Sequence, residues 1–181
     1  MRQNPFFVFV LLLAAGLLLT TLESCNKSNP QTLFTSVMKS SEGDIRGITL
    51  NSDLESVKKM ESEKPDSVAD DYLLYRISLP EKYANIEIAY SFDEKGLYSA
   101  DISVQVKNPD TAKAIAAIDT LQTKITKLMT KKYGSPVKLS DKVLLWNYTS
   151  PSGTGASVQL MNNTEIEDVP SLELLVQTEV E

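Results

Sequence analysis

Two runs of alternating apolar and polar residues, separated by a turn, constrain the fold of this chain most strongly. The apolar positions are Ile86, Ile88, Tyr90 and Phe92 in the first run, and Tyr98, Ala100, Ile102, Val104 and Val106 in the second. Between the runs lies Asp93-Glu94-Lys95-Gly96, in which glycine is free to adopt the positive φ of a tight turn. Period-two alternation on both sides of such a turn predicts an antiparallel β-hairpin.

A long helix is predicted directly after this hairpin. Asn108-Pro109-Asp110 has the composition of a helix start, because Asn caps, Pro suits the first turn and an acid suits the positive end of the helix dipole. Apolar residues then recur every three or four positions, at Ile115, Ile118, Leu121, Ile125, Leu128, Met129 and Tyr133. Gly134 and Pro136 end the pattern. The predicted helix, 109–133, is about 37 Å long.

The remaining segments predict one further helix and several strands. The helix begins at a capping box formed by Ser52 and Glu55 and ends before Pro65. The strands are predicted at 72–79, 143–149, 156–161 and 172–180. Helices separated by runs of antiparallel strands predict a single α+β domain over 43–181. We expect a two-layer sandwich, with the helices packed on one face of a mostly antiparallel sheet.

The amino terminus has the pattern of an export signal. Arg2 precedes Phe6–Leu19, a run of 14 apolar or small residues. As a helix this run spans roughly 21 Å, which is shorter than the ~30 Å hydrocarbon core of a bilayer. A positive start and a short apolar run predict a secretory signal peptide over 1–24. An uncleaved signal anchor over 3–22 is the alternative.

The segment Leu22-Glu23-Ser24-Cys25 resembles a bacterial lipobox. It has a branched apolar residue three positions before the cysteine and a small residue directly before it, with Glu23 at a position that is usually small or apolar. The resemblance implies cleavage between Ser24 and Cys25 by lipoprotein signal peptidase, and a diacylglyceryl thioether and further acylation on Cys25. We therefore expect the chain to contact the membrane through the lipid on Cys25. A secreted protein with a free thiol is the other alternative.

The residues after the cysteine bear on the compartment. Asn26 follows Cys25, whereas in lipoproteins of this type Asp at that position often retains the protein in the inner membrane. Because no acidic cluster follows either, the resemblance implies an outer-membrane protein that faces the periplasm. We assign 25–42 to the lipidated cysteine and a tether. A short helix within this tether is predicted from the spacing of Leu33, Phe34, Val37 and Met38.

Composition excludes several classes of function. The net charge is −6 and the chain has only three Arg, so it lacks the basic footprint of nucleic-acid binding. With no His, the commonest general base and zinc ligand are absent. No G-x-S-x-G, P-loop or dinucleotide pattern occurs, and the single Cys is assigned to the lipid. We therefore expect no enzymatic activity, no catalytic residue, no cofactor, no bound metal and no disulfide.

An acidic segment over 61–71 allows an alternative to the expected absence of a bound metal. Five carboxylates lie within eleven residues, at Glu61, Glu63, Asp66, Asp70 and Asp71. Their spacing is not that of an EF-hand, the central Gly is missing and Lys64 interrupts them. We interpret the segment as a solvated loop, with calcium binding as the alternative.

The same segment contains a candidate modification site. Asp66-Ser67-Val68 fits the Asp–Ser/Thr–apolar pattern of bacterial periplasmic O-glycosylation. Asp110-Thr111-Ala112 and Asp119-Thr120-Leu121 fit it as well. Only Asp66-Ser67-Val68 lies in a predicted loop, so Ser67 is the candidate residue.

Several further short motifs are spread over 46–161. They are Gly47-Ile48-Thr49-Leu50 before the capped helix, Phe92 and Gly96-Leu97 at the hairpin, Tyr133-Gly134-Ser135-Pro136 after the long helix, and Trp146. In these motifs the chain resembles small lipoproteins whose domain is like that of the outer-membrane-assembly lipoprotein SmpA, or like the β-lactamase-inhibitor-protein fold. In that family Leu50 is commonly followed by Gly, where this chain has Asn51. The resemblance implies binding of another protein by the sheet or its loops.

Together these patterns favour a lipid-anchored envelope protein without enzymatic activity. We expect a protein-binding or envelope-assembly and maintenance module, with another envelope protein as its partner and no nucleic acid. A small-ligand carrier or sensor is the alternative, since a two-layer domain can hold an apolar ligand between helix and sheet. An exposed apolar patch would favour the protein partner, and a deep apolar pocket would favour the ligand.

Overall fold

The computed structural model describes residues 32–61, 63–165 and 168–179. Within them lie three helices, α1 (Leu33–Met38), α2 (Leu54–Glu61) and α3 (Thr111–Tyr133), and a 3-10 turn at Pro80–Lys82. The strands are β1 (Ser67–Ala69), β2 (Tyr72–Leu79), β3 (Ala84–Asp93), β4 (Gly96–Val106), β5 (Val137–Lys138), β6 (Val143–Thr149), β7 (Gly155–Asn162) and β8 (Ser171–Thr178). Strands therefore outweigh helices along the described chain.

These eight strands form one antiparallel sheet in the order β1-β2-β3-β4-β8-β7-β6-β5. Two four-stranded meanders, β1 to β4 and β5 to β8, meet at the centre, where Ile102 of β4 lies opposite Leu174 of β8. α2 precedes the first meander and α3 precedes the second. Each meander is thus directly preceded by a helix, and α1 lies before the first of these helices.

The predicted hairpin is confirmed as β3 and β4. The two strands pair from Ala84 opposite Val106 to Asp93 opposite Gly96, with an irregularity at Ser91 and Phe92. Gly96 has a φ of 110°, the positive value that the turn was expected to need. Alternate side chains along both strands are buried, which is the pattern that made this hairpin predictable.

The predicted long helix is confirmed as α3, with a different cap. Asp110 caps it, because its carboxylate accepts the backbone N–H of Lys113 at 3.3 Å. Asn108 lies two residues earlier, and its side chain accepts the N–H of Asp110 at 2.9 Å. Leu121 and Ile125 are at most 2% exposed and belong to the main core.

The capping box predicted for the preceding helix is wrong. Asp53 rather than Ser52 provides the cap of α2, since its carboxylate accepts both the backbone N–H of Ser56 at 2.9 Å and the hydroxyl of Ser56 at 2.7 Å. Asp and Ser are about equally good caps, so composition alone does not choose between neighbours. In α1, Thr32 and Thr35 form a reciprocal capping box.

The predicted two-layer α+β sandwich is wrong, because the sheet dominates the fold and the helices do not make up a matching layer. α1 has six residues and α2 has eight, so only α3 is long enough to run along the sheet. The sequence prediction also missed β1 and β5. All residues of these two strands are exposed, so they carry no alternation of apolar and polar positions.

The hydrophobic core lies on one face of the sheet, which we call the inner face. Alternate side chains of β2, β3, β4, β6, β7 and β8 form a single buried cluster with Val37 and Met38 of α1, Val57 of α2 and the apolar side of α3. The intervening side chains of these strands are mostly half-buried or exposed. They form the outer face. The helices of the described residues pack into the core on the inner face and not on this one.

Candidate functional site

The predicted lipidation and cleavage residues, Cys25 and Ser24, lie outside the described residues, as does the signal peptide predicted over 1–24. In residues 32–61, 63–165 and 168–179, no helix has both the length and the apolar character needed to cross a bilayer. Among the described residues, the polar groups that could form a site include two buried clusters, around Glu61 and Asp44, and several exposed surfaces.

The interpretation of the acidic segment over 61–71 as a solvated loop is wrong for Glu61. Glu61 is the last residue of α2 and is 2% exposed. Glu63, Asp66, Asp70 and Asp71 are exposed. Among the residues that the structure describes, no group of three His, Cys, Asp or Glu side chains is placed to hold a metal ion.

Ser67, the candidate for O-glycosylation, lies in the edge strand β1 rather than in a loop and is exposed. The carboxylate of its neighbour Asp66 accepts the backbone N–H of Arg76 at 2.6 Å. Thr111 and Thr120, the corresponding residues of the other two matching triplets, lie in α3. Of the three, only Ser67 presents its hydroxyl from extended backbone, and its modification stays a prediction.

The first buried cluster is an ion pair between Arg46 and Glu61. The guanidinium donates from Nε to Oε1 at 2.7 Å and from Nη2 to Oε2 at 2.9 Å. The hydroxyl of Tyr90, on β3, also donates to Oε1, and Lys39 Nζ lies 3.3 Å from Oε2. Arg46 is 4% exposed. The pairing had no signal in the sequence, because its two charged residues are 15 positions apart and belong to no motif.

The same guanidinium attaches α1 to the domain. Its Nη1 donates to the backbone carbonyls of Ser36 and Val37, the latter at 2.6 Å. Arg46 has a φ of 55°, a left-handed conformation that few residues other than Gly adopt. These hydrogen bonds hold it in that conformation. One ion pair thus joins α1, α2 and β3.

The charges in this cluster stabilise each other. Burial alone would raise the pKa of Glu61, but the hydrogen bonds and charge of Arg46 outweigh it and hold that pKa below its usual value. Burial opposes the charge of Arg46 as well, and Glu61 raises the pKa of Arg46. Burial and the charge of Glu61 raise the pKa of Tyr90 well above its usual value. At neutral pH, Arg46 and Glu61 therefore form a buried ion pair beside the neutral hydroxyl of Tyr90. This arrangement suits a structural role.

The second buried cluster surrounds Asp44, which is 1% exposed. Its Oδ2 accepts the backbone N–H of Leu50 at 2.8 Å and the hydroxyl of Ser150 at 2.7 Å. The hydroxyl of Tyr133 donates to its backbone carbonyl at 3.1 Å. Asp44 Oδ1 and the Tyr148 hydroxyl have no hydrogen-bond partner among the described residues. Burial raises the pKa of Tyr133 to about 12 and raises that of Tyr148 as well, so both phenols stay neutral.

One end of the sheet bears a cleft between loops, with a volume of about 560 Å³, which we call the loop cleft. It lies between the β3–β4 turn, the β6–β7 loop and the end of β8, and Asn51 lines it. The Asn51 side chain donates to Ser152 at 3.2 Å and to Thr154 at 2.9 Å. Asn51 has a φ of 69°, and Asn is one of the few residues that tolerate this conformation. Asn51 is therefore compatible with the backbone conformation at this position.

The outer face of the sheet carries an apolar patch on the side of β5 to β8. Directly paired residues of adjacent strands lie on one face, and here Val137 pairs with Leu145, Val143 with Met161, and Leu175 with Gln159. Val137 is 56% exposed, and Leu139, just after β5, is 59% exposed. We define the outer patch as Val137, Leu139, Val143, Leu145, Met161 and Leu175.

The adjoining part of the outer face is acidic. Asp101 of β4 lies between Ala89 and Leu175 in the sheet, next to the outer patch. Burial and the charge of Glu87 raise its pKa. Glu87 forms an ion pair with Arg76 at 2.9 Å, whereas Asp101 has no ion-pair partner among the described residues. A carboxylate without a cation therefore lies beside the apolar patch.

No protein-family model, no curated protein and no solved structure matches this chain.

Proposed function

We propose that this chain is a lipid-anchored envelope protein that binds another envelope protein through the outer face of its sheet. The observation that carries this is the outer patch, in which two exposed and four half-buried apolar side chains lie together on a face that no helix of the described residues covers. Contiguous exposed apolar patches on a folded domain mark interaction sites more often than isolated apolar residues do.

Charge indicates what kind of partner fits. Asp101 and Glu87 lie on the same face as the outer patch, and Arg76 is already paired with Glu87. A partner that presents apolar side chains beside a Lys or Arg would bury the patch and neutralise Asp101. Such charge complementarity sets partner choice and association rate more than affinity.

The proposed attachment is the lipid on Cys25. The net charge of −6 gives the protein no general attraction to anionic lipid, so the acyl chains have to supply the anchoring. Two or three chains give stable anchoring, where one chain is marginal. An anchored domain then meets its partners in the envelope.

The alternative, a carrier of small apolar ligands, has less support. A groove of about 380 Å³ with a largely apolar lining lies between α1, α3 and the 3-10 turn, not between a helix and the sheet. Lys82 and Lys124 also line this groove. The outer patch also has charged neighbours, Asp101 on β4 and Glu173 on β8, but it lies on an open sheet face and not in a groove.

Site-specific photocrosslinking in intact cells tests the proposed partner surface. A photoreactive residue at Leu145, in the outer patch, should give a specific adduct with an envelope protein, and Leu145→Asp should prevent co-purification of that protein. A photoreactive residue at Lys127, an exposed position of α3, serves as the matched control. Adducts that are equally abundant from both positions, or none from Leu145 across growth conditions, would contradict the proposal.

A further inference from the structure

We propose that the domain rests on the surface of the bilayer through the end that carries the apolar groove, so that the hairpin strands run away from the membrane. This inference rests on the proposed lipid anchor at Cys25. We call this end the basal surface and define it as Leu33, Phe34, Lys82, Tyr83, Lys107 and Lys124.

The basal surface combines apolar and aromatic side chains in the way that interfacial surfaces do. Leu33 and Phe34 are half-buried along the groove, and Tyr83 is 51% exposed at its rim. Tyr is enriched at membrane–water interfaces, because its ring is apolar and its hydroxyl is wet. These side chains provide apolar area for the boundary between headgroups and acyl chains.

Lysines surround this apolar area. Lys82 precedes Tyr83 in the chain, and the backbone N–H of Lys107 donates to the carbonyl of Tyr83 at 2.7 Å. Lys124 Nζ lies 6.0 Å from the centroid of the Phe34 ring. Glu81 is the acidic residue in the groove lining. An anionic leaflet attracts such a cluster, and the aliphatic stems of Lys lie against apolar surface while the ammonium stays in water.

The opposite end of the hairpin has the opposite charge. Asp93, Glu94 and Glu179 lie at or beside the loop cleft, where Lys95 is the basic residue of the lining. At the hairpin itself, lysines outnumber acids near the groove and acids outnumber lysines near the loop cleft, although Glu165 and Asp168 of the β7–β8 loop also lie at the groove end of the sheet. An anionic surface orients a domain with this distribution, because it attracts one end and repels the other.

Chain length agrees with this orientation. Thr32 lines the groove, and Cys25 precedes it by seven residues. Since each residue of an extended chain spans at most about 3.5 Å, a lipid on Cys25 would be attached within roughly 25 Å of the groove. The anchor therefore keeps the basal surface close enough to touch the leaflet that holds the lipid.

The two ends of the hairpin offer a matched pair of positions for a test. Ala84 pairs with Val106 at one end and Asp93 with Gly96 at the other, so Tyr83 and Tyr98 flank opposite ends of a ten-residue strand. Such a strand is about 33 Å long. Tyr98 is 40% exposed, which is comparable with Tyr83. In the proposed orientation the outer face stands roughly perpendicular to the membrane and stays open to neighbouring proteins.

The experiment uses the mature, acylated protein, with its lipid verified by mass spectrometry, in vesicles of phosphatidylethanolamine and phosphatidylglycerol. The native cysteine is blocked by the lipid, so Tyr83→Cys and Tyr98→Cys each accept one environment-sensitive fluorophore. We expect a blue shift and quenching by brominated lipid at position 83, with a water-like signal at 98. Lys82→Glu with Lys124→Glu should abolish the signal at 83, and Lys95→Glu should not.

The outcomes separate this inference from the proposed function. A water-like signal at position 83 of the acylated protein, or equal quenching at both positions, would overturn the basal orientation and leave the lipid anchor in place. Absence of lipid on Cys25 would overturn the anchor, and the orientation would fail with it. Quenching at 83 that is unchanged by the paired Lys→Glu substitutions would show that charge does not set the orientation and would overturn the inference as stated.

Discussion

The backbone carbonyl oxygen of Asn51 lies 2.5 Å from the position that a Cβ atom on Gly96 would occupy. Around this contact the N–H of Asn51 donates to the carbonyl of Leu97, and the N–H of Leu97 donates to the carbonyl of Ser52, both at 2.8 Å. The segment before α2 is thus bonded to the first residues of β4. The contact requires a residue without a side chain at position 96.

Gly96→Ala should therefore destabilise the domain by about 2–4 kcal/mol, since the new methyl group would meet backbone atoms and a φ of 110° strains any L side chain. Urea denaturation measures the loss. Gly153→Ala is the matched control, because Gly153 also has a positive φ but a methyl group there would meet no atom within 4 Å. The control should lose about 1 kcal/mol from backbone strain alone. Equal losses for the two variants would contradict the close approach to Asn51.

The buried ion pair predicts a second contrast. Glu61→Ala leaves the Arg46 guanidinium buried without its carboxylate, and we expect a loss of about 3–5 kcal/mol in the free energy of unfolding. Glu87→Ala removes a similar contact to Arg76 at 2.9 Å, but both side chains of that pair are more than half exposed. The loss there should be under about 1 kcal/mol. Thermal and urea melts of the two variants measure the difference, and similar losses would mean that the Arg46 pair is not buried.

The same pair makes stability depend on pH in a stated direction. The pKa of Glu61 is lowered in the folded state, so its contribution is complete above the unfolded value of about 4.3 and is lost as the pH falls through the folded-state pKa. Glu61→Gln should be less stable than the wild type at pH 7 and should lose less stability between pH 5 and pH 3. Parallel pH profiles for the two proteins would assign the acid sensitivity to other carboxylates.

The apolar side of α3 predicts a third contrast. Leu121 and Ile125 are 2% and 0% exposed in the middle of the helix, where fraying does not relieve a cavity. Truncation of either to Ala should destabilise by about 2–5 kcal/mol. Lys127→Ala, at an exposed position of the same helix, should change stability by less than about 0.5 kcal/mol. Urea melts in which Lys127→Ala is as damaging as Leu121→Ala would refute the packing of α3.

The predicted anchor is tested in the cell. Cys25→Ser should accumulate as unprocessed precursor without lipid, because the thioether needs sulfur and its formation precedes cleavage. Globomycin should cause the wild-type precursor to accumulate in the same way. Mass spectrometry that finds Cys25 unmodified, together with no effect of globomycin, would disprove the assignment of 22–25 as a lipobox.

The parts of the fold that were predictable from sequence are those in which burial alternates along the chain. β3, β4 and α3 each bury one side and expose the other, so their periods appear in the sequence. β1 and β5 pair with their neighbours through the backbone, and backbone pairing is independent of side-chain pattern. The sequence therefore predicted a smaller sheet, relative to the helices, than the structure has.

The buried clusters were not predictable, because Arg46 and Glu61 are brought together only by tertiary structure. The outer patch, in contrast, has a recognisable sequence pattern. Val143–Trp146 and Leu174–Leu175 are apolar at adjacent positions, which means that both faces of those strands carry apolar side chains. Such runs indicate burial on both sides or, as here, an apolar face that no helix of the described residues covers.

The two outermost strands of the described sheet, β1 and β5, have only three and two residues. A long open edge offers unpaired N–H and carbonyl groups to another copy of the chain, and short edges offer few. At the β1 side, the carboxylate of Asp66 also occupies the N–H of Arg76. Under the proposed anchoring on Cys25, where encounters in the plane of one leaflet are frequent, these short edges would limit growth of strand-to-strand polymers. Molecules crowded on the membrane would then associate through side-chain surfaces and not through backbone pairing.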